Sequence, residues 1–174
     1  MRAKIKFIGF ISFLLISFIF LTGCPQKAPE ENSTGDIPEF SFEKIGGGTM
    51  TNEDLMGKIV FIDFWATWCG PCRGATPYVN KLYEEFKNEE EVLVIGMNLD
   101  YNKNIDEINT FVKKEKIQYV VLKADQKITN QFKIRGIPAF FVLNKEGKIA
   151  KKYVGFDPSF FKQMSDDIKK LLQE

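Results

Sequence analysis

Two cysteines spaced as Cys69-Gly70-Pro71-Cys72 are the residues of this chain best placed to do chemistry. At the start of a helix, two intervening residues let the sulfurs approach one another. Cys69 would then meet the unpaired backbone N–H groups of the first turn, which favour a thiolate and lower its pKa. Cys69 is thus the expected attacking nucleophile. Cys72, one turn in, is placed to resolve a mixed disulfide by intramolecular attack. Pro71 has no amide hydrogen to donate, which costs little in a first helical turn.

Other readings of the pair are weaker. A zinc site needs four ligands, and the chain has no histidine and no second pair of this kind. The absence of histidine also removes His-based acid–base chemistry and Cys-His triads. A purely structural disulfide closing so short a loop would contribute little stability. Redox exchange, with no cofactor and no metal, is the reading that remains.

The third cysteine has a different setting. Met1 to Lys6 is basic, and Phe7 to Leu21 is an uncharged apolar run. That run is short for a helix that needs roughly 20 residues to cross a bilayer, but it fits the core of a secretory signal. Leu21-Thr22-Gly23-Cys24 then resembles a bacterial lipobox, which implies that Cys24 receives a diacylglycerol and becomes the mature N-terminus. The alternative is an uncleaved signal anchor. Both readings predict a domain held on a membrane at its extracytoplasmic face. Residues 1–23 are thus expected to be a signal peptide, 24–36 a Pro- and polar-rich tether, and 37–174 the folded domain.

The 174 residues suffice for one domain plus this extension, and 44% are apolar. Without Arg2, Lys4 and Lys6, 21 basic residues face 23 acidic ones. A near-neutral domain without a long basic run gives no reason to propose nucleic-acid binding.

The elements that must position the pair are legible as patterns. Phe40–Phe42 alternates as a short strand, Gly46–Gly48 marks a turn, and Thr51–Leu55 reads as a helical turn. Ile59–Trp65 is an apolar run of strand length, expected to be central and buried on both faces. A helix from about Cys72 to Phe86 would bury Ala75, Val79, Leu82 and Phe86 and be kinked at Pro77. The next expected elements are a strand over Val92–Asn98, a helix after Asn104, a strand over Tyr119–Leu122 and a short helix around Thr129–Phe132. A hairpin over Ala139–Leu143 and Ile149–Val154 follows. A last helix starts with Asp157 as cap and Pro158 at its first position. The sum is an α/β fold with helices over a mixed sheet.

The segment Phe61-Ile62-Asp63-Phe64-Trp65-Ala66-Thr67-Trp68-Cys69-Gly70-Pro71-Cys72-Arg73 resembles the active-site segment of the thioredoxin superfamily. Pro77 matches the family's helix proline, Ile134-Arg135-Gly136-Ile137-Pro138 its cis-proline loop, and Val154-Gly155 the end of its final strand. The lipid signal and an extra helix and strand at about 101–124 are similar to the membrane-anchored TlpA/ResA-like branch. The resemblance implies a thioredoxin fold with that helix–strand insertion and a short N-terminal β extension. It also implies a cis Ile137-Pro138 bond facing the cysteines. Trp68 would pack beside the disulfide and, with Gly70, Pro71, Ile137 and Pro138, form the substrate-binding surface. An extended substrate could pair with the backbone of Ile137.

Asp63, in an apolar strand, should have a raised pKa and could exchange protons with Cys72; the family carries an acid there. Gly96 stands where the family's usual lysine neighbour lies. Asp100 falls where some ResA-like proteins carry an acid near the site. The Gly-Pro spacer resembles the reducing members of the superfamily, so a reductase of protein disulfides is expected. Its targets would be disulfide-bearing exported proteins such as apocytochrome c, and a CcdA/DsbD-like membrane protein would supply electrons. Alternatives of other classes are a thiol peroxidase and a tethered, non-catalytic binding module. The peroxidatic motif is absent around Cys69, as are the CxxxC and histidine of a copper chaperone.

Overall fold

Strand β3, Ile59–Trp65, has all seven residues buried, as an apolar run walled on both faces must. The computed structural model describes residues 39–174. The expected signal peptide, tether and Cys24 lie outside the described residues. Around β3 a five-stranded sheet forms in the order β5-β4-β3-β6-β7. β4 is Val92–Asn98 and β5 is Val120–Lys123; both run parallel to their neighbours. β6, Ala139–Leu143, pairs antiparallel with β3, and β7, Ile149–Val154, antiparallel with β6. The parallel half requires crossovers. Helix α1, Gly70–Phe86, supplies the first, and α2, Ile105–Lys114, the second.

The strand alternation divides the core in two. Val60, Ile62 and Phe64 point to one face, where Phe40, Phe42, Met50 and Leu55 join Ile128 and Phe132. Ile128 lies on the short helix α3, Gln126–Gln131. Ile59, Phe61 and Trp65 point to the other face, beneath α1 and the last helix α4, Ser159–Leu172. Both cysteines belong to this second cluster.

Several elements differ from expectation for local reasons. Helix α1 starts at Gly70, two residues earlier than its apolar stripe suggests, because the Cys69 side chain itself caps it. The segment after Gly48 forms a strand, β2 (Thr49–Thr51), paired with β1 (Ser41–Glu43), before a 3-10 turn over Asn52–Leu55. Helix α3 begins at Gln126 because the Asp125 carboxylate accepts the Ile128 N–H at 2.8 Å. Pro158 is the N-cap of α4 rather than its first residue, and the Asp157 carboxylate accepts the Ser159 N–H. The insertion contributes α2 and β5, and β5 becomes an edge of the sheet. That edge is covered by the N-terminal hairpin: Ile45 donates its N–H to Val121 O at 2.7 Å, and Lys44 bridges Leu122.

Candidate active site

The carboxyl end of β3 delivers the chain to the loop Ala66–Trp68 and then to the first turn of α1. A clamp holds this loop. The Asp100 carboxylate accepts the Thr67 N–H at 2.8 Å, the Thr67 hydroxyl at 2.9 Å and the Asn98 side-chain amide at 2.8 Å. Leu99 N–H donates to Trp65 O, and Cys69 N–H to Ala66 O. Asp100 is buried with both oxygens engaged, so it positions the loop.

Cys69 and Cys72 form a disulfide with Cα atoms 5.3 Å apart. The Cys72 N–H donates to Cys69 Sγ at 3.1 Å. The same N–H would support a Cys69 thiolate once the bond is reduced, because it lies at the start of a helix whose dipole favours negative charge there. Thr76 donates its hydroxyl to Cys72 O one turn on. Gly70 and Pro71 form the exposed corner between the sulfurs, and the Arg73 guanidinium lies back over Gly70. Trp68 is 69% exposed. It is an open apolar face next to Cys69 in the chain, not a core aromatic.

Two other segments reach the same end of the sheet. The Ile137–Pro138 peptide bond is cis. Pro138 is buried, its carbonyl accepting the Gly155 N–H at 2.8 Å. Ile137 is half-buried and packs against both core clusters, including the one that holds the cysteines. Among the described residues, neither the amide nor the carbonyl of Ile137 takes part in a hydrogen bond. Phe156, just past Gly155, lies against Gly74 on α1, where a Cβ would come within 3.3 Å of its ring.

Six residues before Cys69, Asp63 is 3% exposed on the sheet face that α1 covers. Burial pushes its carboxyl up from 3.8 to about 7, against a hydrogen bond from Tyr119 that pulls it down. The Tyr119 hydroxyl donates to Asp63 Oδ2 at 2.8 Å. Tyr119 is the site residue that sequence reading missed. It sits one position before β5, and the available signal was that a carboxyl inside an apolar strand needs a donor from a neighbouring strand. Gly96 pairs with Asp63 across the ladder. A Cβ there would meet Trp65 Nε1 at 2.8 Å and Tyr119 Cε2 at 2.9 Å, so no longer side chain fits. Among the described residues, no group of three or more Cys, Asp or Glu side chains could hold a metal.

With this geometry in view, residues 32–172 match the model of the Redoxin family. The thiol-disulfide oxidoreductase ResA of Bacillus subtilis is 33% identical over 121 residues, 69% of this chain and 66% of that protein. ResA of a Bacillus cereus strain is 32% identical over 121 residues, 69% of this chain and 68% of its own length. Among solved structures, a Chlorobium tepidum protein described as a thiol:disulfide interchange protein DsbE superposes with a TM-score of 0.71 at 27% identity. The match covers 80% of this chain and 97% of that one.

Proposed function

We propose that this chain, which belongs to the redoxin family and is a thiol-disulfide oxidoreductase of thioredoxin fold, works as a reductase of protein disulfides on the outer face of a membrane. The observation that carries this reading is the disulfide capping α1 at the end of the sheet where Trp68 is open and, among the described residues, the Ile137 backbone takes no hydrogen bond. The sulfurs are nearly buried, but Trp68, Gly70 and Pro71 around them are exposed and the Ile137 main chain takes no hydrogen bond among the described residues, which suits docking of an extended polypeptide.

The reaction follows from the placement of the sulfurs. In the reduced protein, the Cys69 thiolate attacks one sulfur of the substrate disulfide. That S–S bond breaks and one substrate thiolate leaves. Cys72 then loses its proton, with Asp63 as acceptor, and its thiolate attacks Cys69 Sγ. The mixed disulfide breaks, the second substrate thiolate departs, and the Cys69–Cys72 bond forms. Two electrons have passed from the dithiol to the substrate. A partner dithiol must return them, and a CcdA/DsbD-like membrane protein is the proposed donor.

Exported proteins with disulfides, apocytochrome c among them, are the proposed substrates. The lipobox-like Leu21-Thr22-Gly23-Cys24 supports the membrane location. No helix among the described residues is long and apolar enough to cross a membrane.

The test is trapping. Cys72→Ser leaves Cys69 able to attack but removes the resolving thiol, so mixed disulfides should accumulate at Cys69 and identify the substrates by mass. A Cys72→Ser protein that captures no partner, together with a wild-type domain that reduces no protein disulfide, would overturn the reading.

A further inference from the structure

Asp63 lies on the sheet face whose core cluster holds the cysteines, with one oxygen already engaged, and the partner is not a cation. Tyr119 and Asp63 are both buried, at 4% and 3% exposure, and 2.8 Å separates the phenol oxygen from Oδ2. Among the described residues, Asp63 Oδ1 has no hydrogen-bond partner. The ladder position opposite Asp63 is Gly96, closed to any larger side chain by Trp65 and Tyr119.

Cys69 and Cys72, at the start of α1, are joined as a disulfide and do not titrate. Tyr78 and Tyr83 of α1 and Tyr153 of β7 pack against the same cluster, to which β4, β6 and α4 add apolar side chains. Glu85, at the outer side of α1, is tied to Ser165 and Lys169. Asp100, past the end of β4, is tied to Thr67 and Asn98.

We infer that Tyr119 is a positioning residue for the disulfide-exchange reaction: by holding Asp63 Oδ2, it leaves Oδ1 as the oxygen that takes and returns the Cys72 proton and sets the pH at which it does so. The phenol donates to Oδ2 whether or not Oδ1 carries a proton. A neutral donor lowers the proton affinity of a buried carboxyl less than a paired cation would. The acid therefore stays protonated further up the pH scale, and the proton balance of the exchange is kept within the pair. As the Cys72 thiol becomes a thiolate, its proton goes to Oδ1; as the Cys69–Cys72 disulfide is reduced again, the proton returns to Cys72. The inference rests on the reductase reading and adds to it a residue contributed by the inserted segment.

The experiment uses Tyr119→Phe, which keeps the ring over Gly96 and removes the hydroxyl. The Asp63 carboxyl carbon is followed by NMR through a pH titration of the oxidised protein, and kcat/KM for a protein disulfide is measured over the same range. Loss of a hydrogen bond to a charged acceptor should move the Asp63 midpoint upward by about one pH unit or more. The rising limb of the rate profile should move with it, since only the ionised carboxyl can take the Cys72 proton. Asp63→Asn should abolish that limb and make the Tyr119 substitution silent. Replacing Tyr119 with a tyrosine fluorinated at both positions ortho to the hydroxyl strengthens the donor and should move the midpoint down. It also decides the matter should Tyr119→Phe fail to fold. A midpoint unmoved in both variants, or a kinetic shift that persists with Asp63→Asn, overturns the role of Tyr119. A wild-type protein that reduces no disulfide would instead overturn the functional reading beneath it, and the NMR titration tells the two failures apart.

Discussion

Asp63 shows what a single residue contributes at a cost. Its carboxyl gives up hydration for one hydrogen bond, and burial raises it from 3.8 to about 7. Between those values the folded protein holds a proton that the unfolded chain has released. Stability therefore falls as pH rises through this window and levels off once both states are ionised, above about 7. A displacement of roughly three pH units corresponds to about 4 kcal/mol in all. Urea denaturation of the oxidised protein should accordingly show it about 3 kcal/mol less stable at pH 8.5 than at pH 5 from this group. Asp63→Asn should remove most of that difference. An equal pH dependence in both proteins would mean that Asp63 is already ionised at pH 5. The group proposed to take the Cys72 proton thus weakens the fold once it is ionised.

At the scale of elements, the reactive turn is held by its neighbours. Helix α1 is capped by a cysteine sulfur, so the reactive atom is part of the helix start. The loop that leads to it is pinned to the end of β4 through Asp100. Asp100→Ala would leave the half-buried Thr67 N–H and the buried Asn98 amide without their acceptor. The expected cost is about 3 kcal/mol, together with a severalfold slower reaction of Cys69 with disulfides. Urea denaturation and stopped-flow exchange measure the two effects. A loss below about 0.5 kcal/mol would mean that solvent satisfies Thr67 and that the clamp is not a clamp.

At the scale of the whole molecule, the two sheet edges are managed differently. The β1–β2 hairpin covers β5, whereas among the described residues β7 is an open edge carrying exposed Lys151 and Lys152, which discourage pairing with another strand. The active rim lies at the end of the sheet where β3 leads into α1, with Trp68 in solvent. On the proposed membrane location, intact mass should show a mature chain that begins at Cys24 and carries diacylglycerol, while Cys24→Ser accumulates as the uncut precursor. A wild-type chain that still begins at Met1 would point to an uncleaved signal anchor.

Features that local periodicity and spacing encode could be read from the chain alone. β3, β4, β6 and β7 were legible because apolar runs and a Gly-containing turn mark them, and α2 because Ile105, Ile108, Phe111 and Val112 recur at helical spacing after Asn104. The redox pair was legible because cysteines so spaced at a helix start have few other uses. What needed the folded molecule was the partner of each buried polar group. Tyr119 and Asp63 are 56 positions apart, and Asp100 and Thr67 are 33 apart; neither pair has a local signature. Asp100 stood out in the chain as an acid near the site, yet the fold commits it to the loop. Tyr119 drew no notice, yet the fold places its hydroxyl against Asp63. A chain can announce a buried carboxyl by setting it in an apolar strand. Which donor satisfies it depends on strand order and register, and these are fixed only when the sheet assembles.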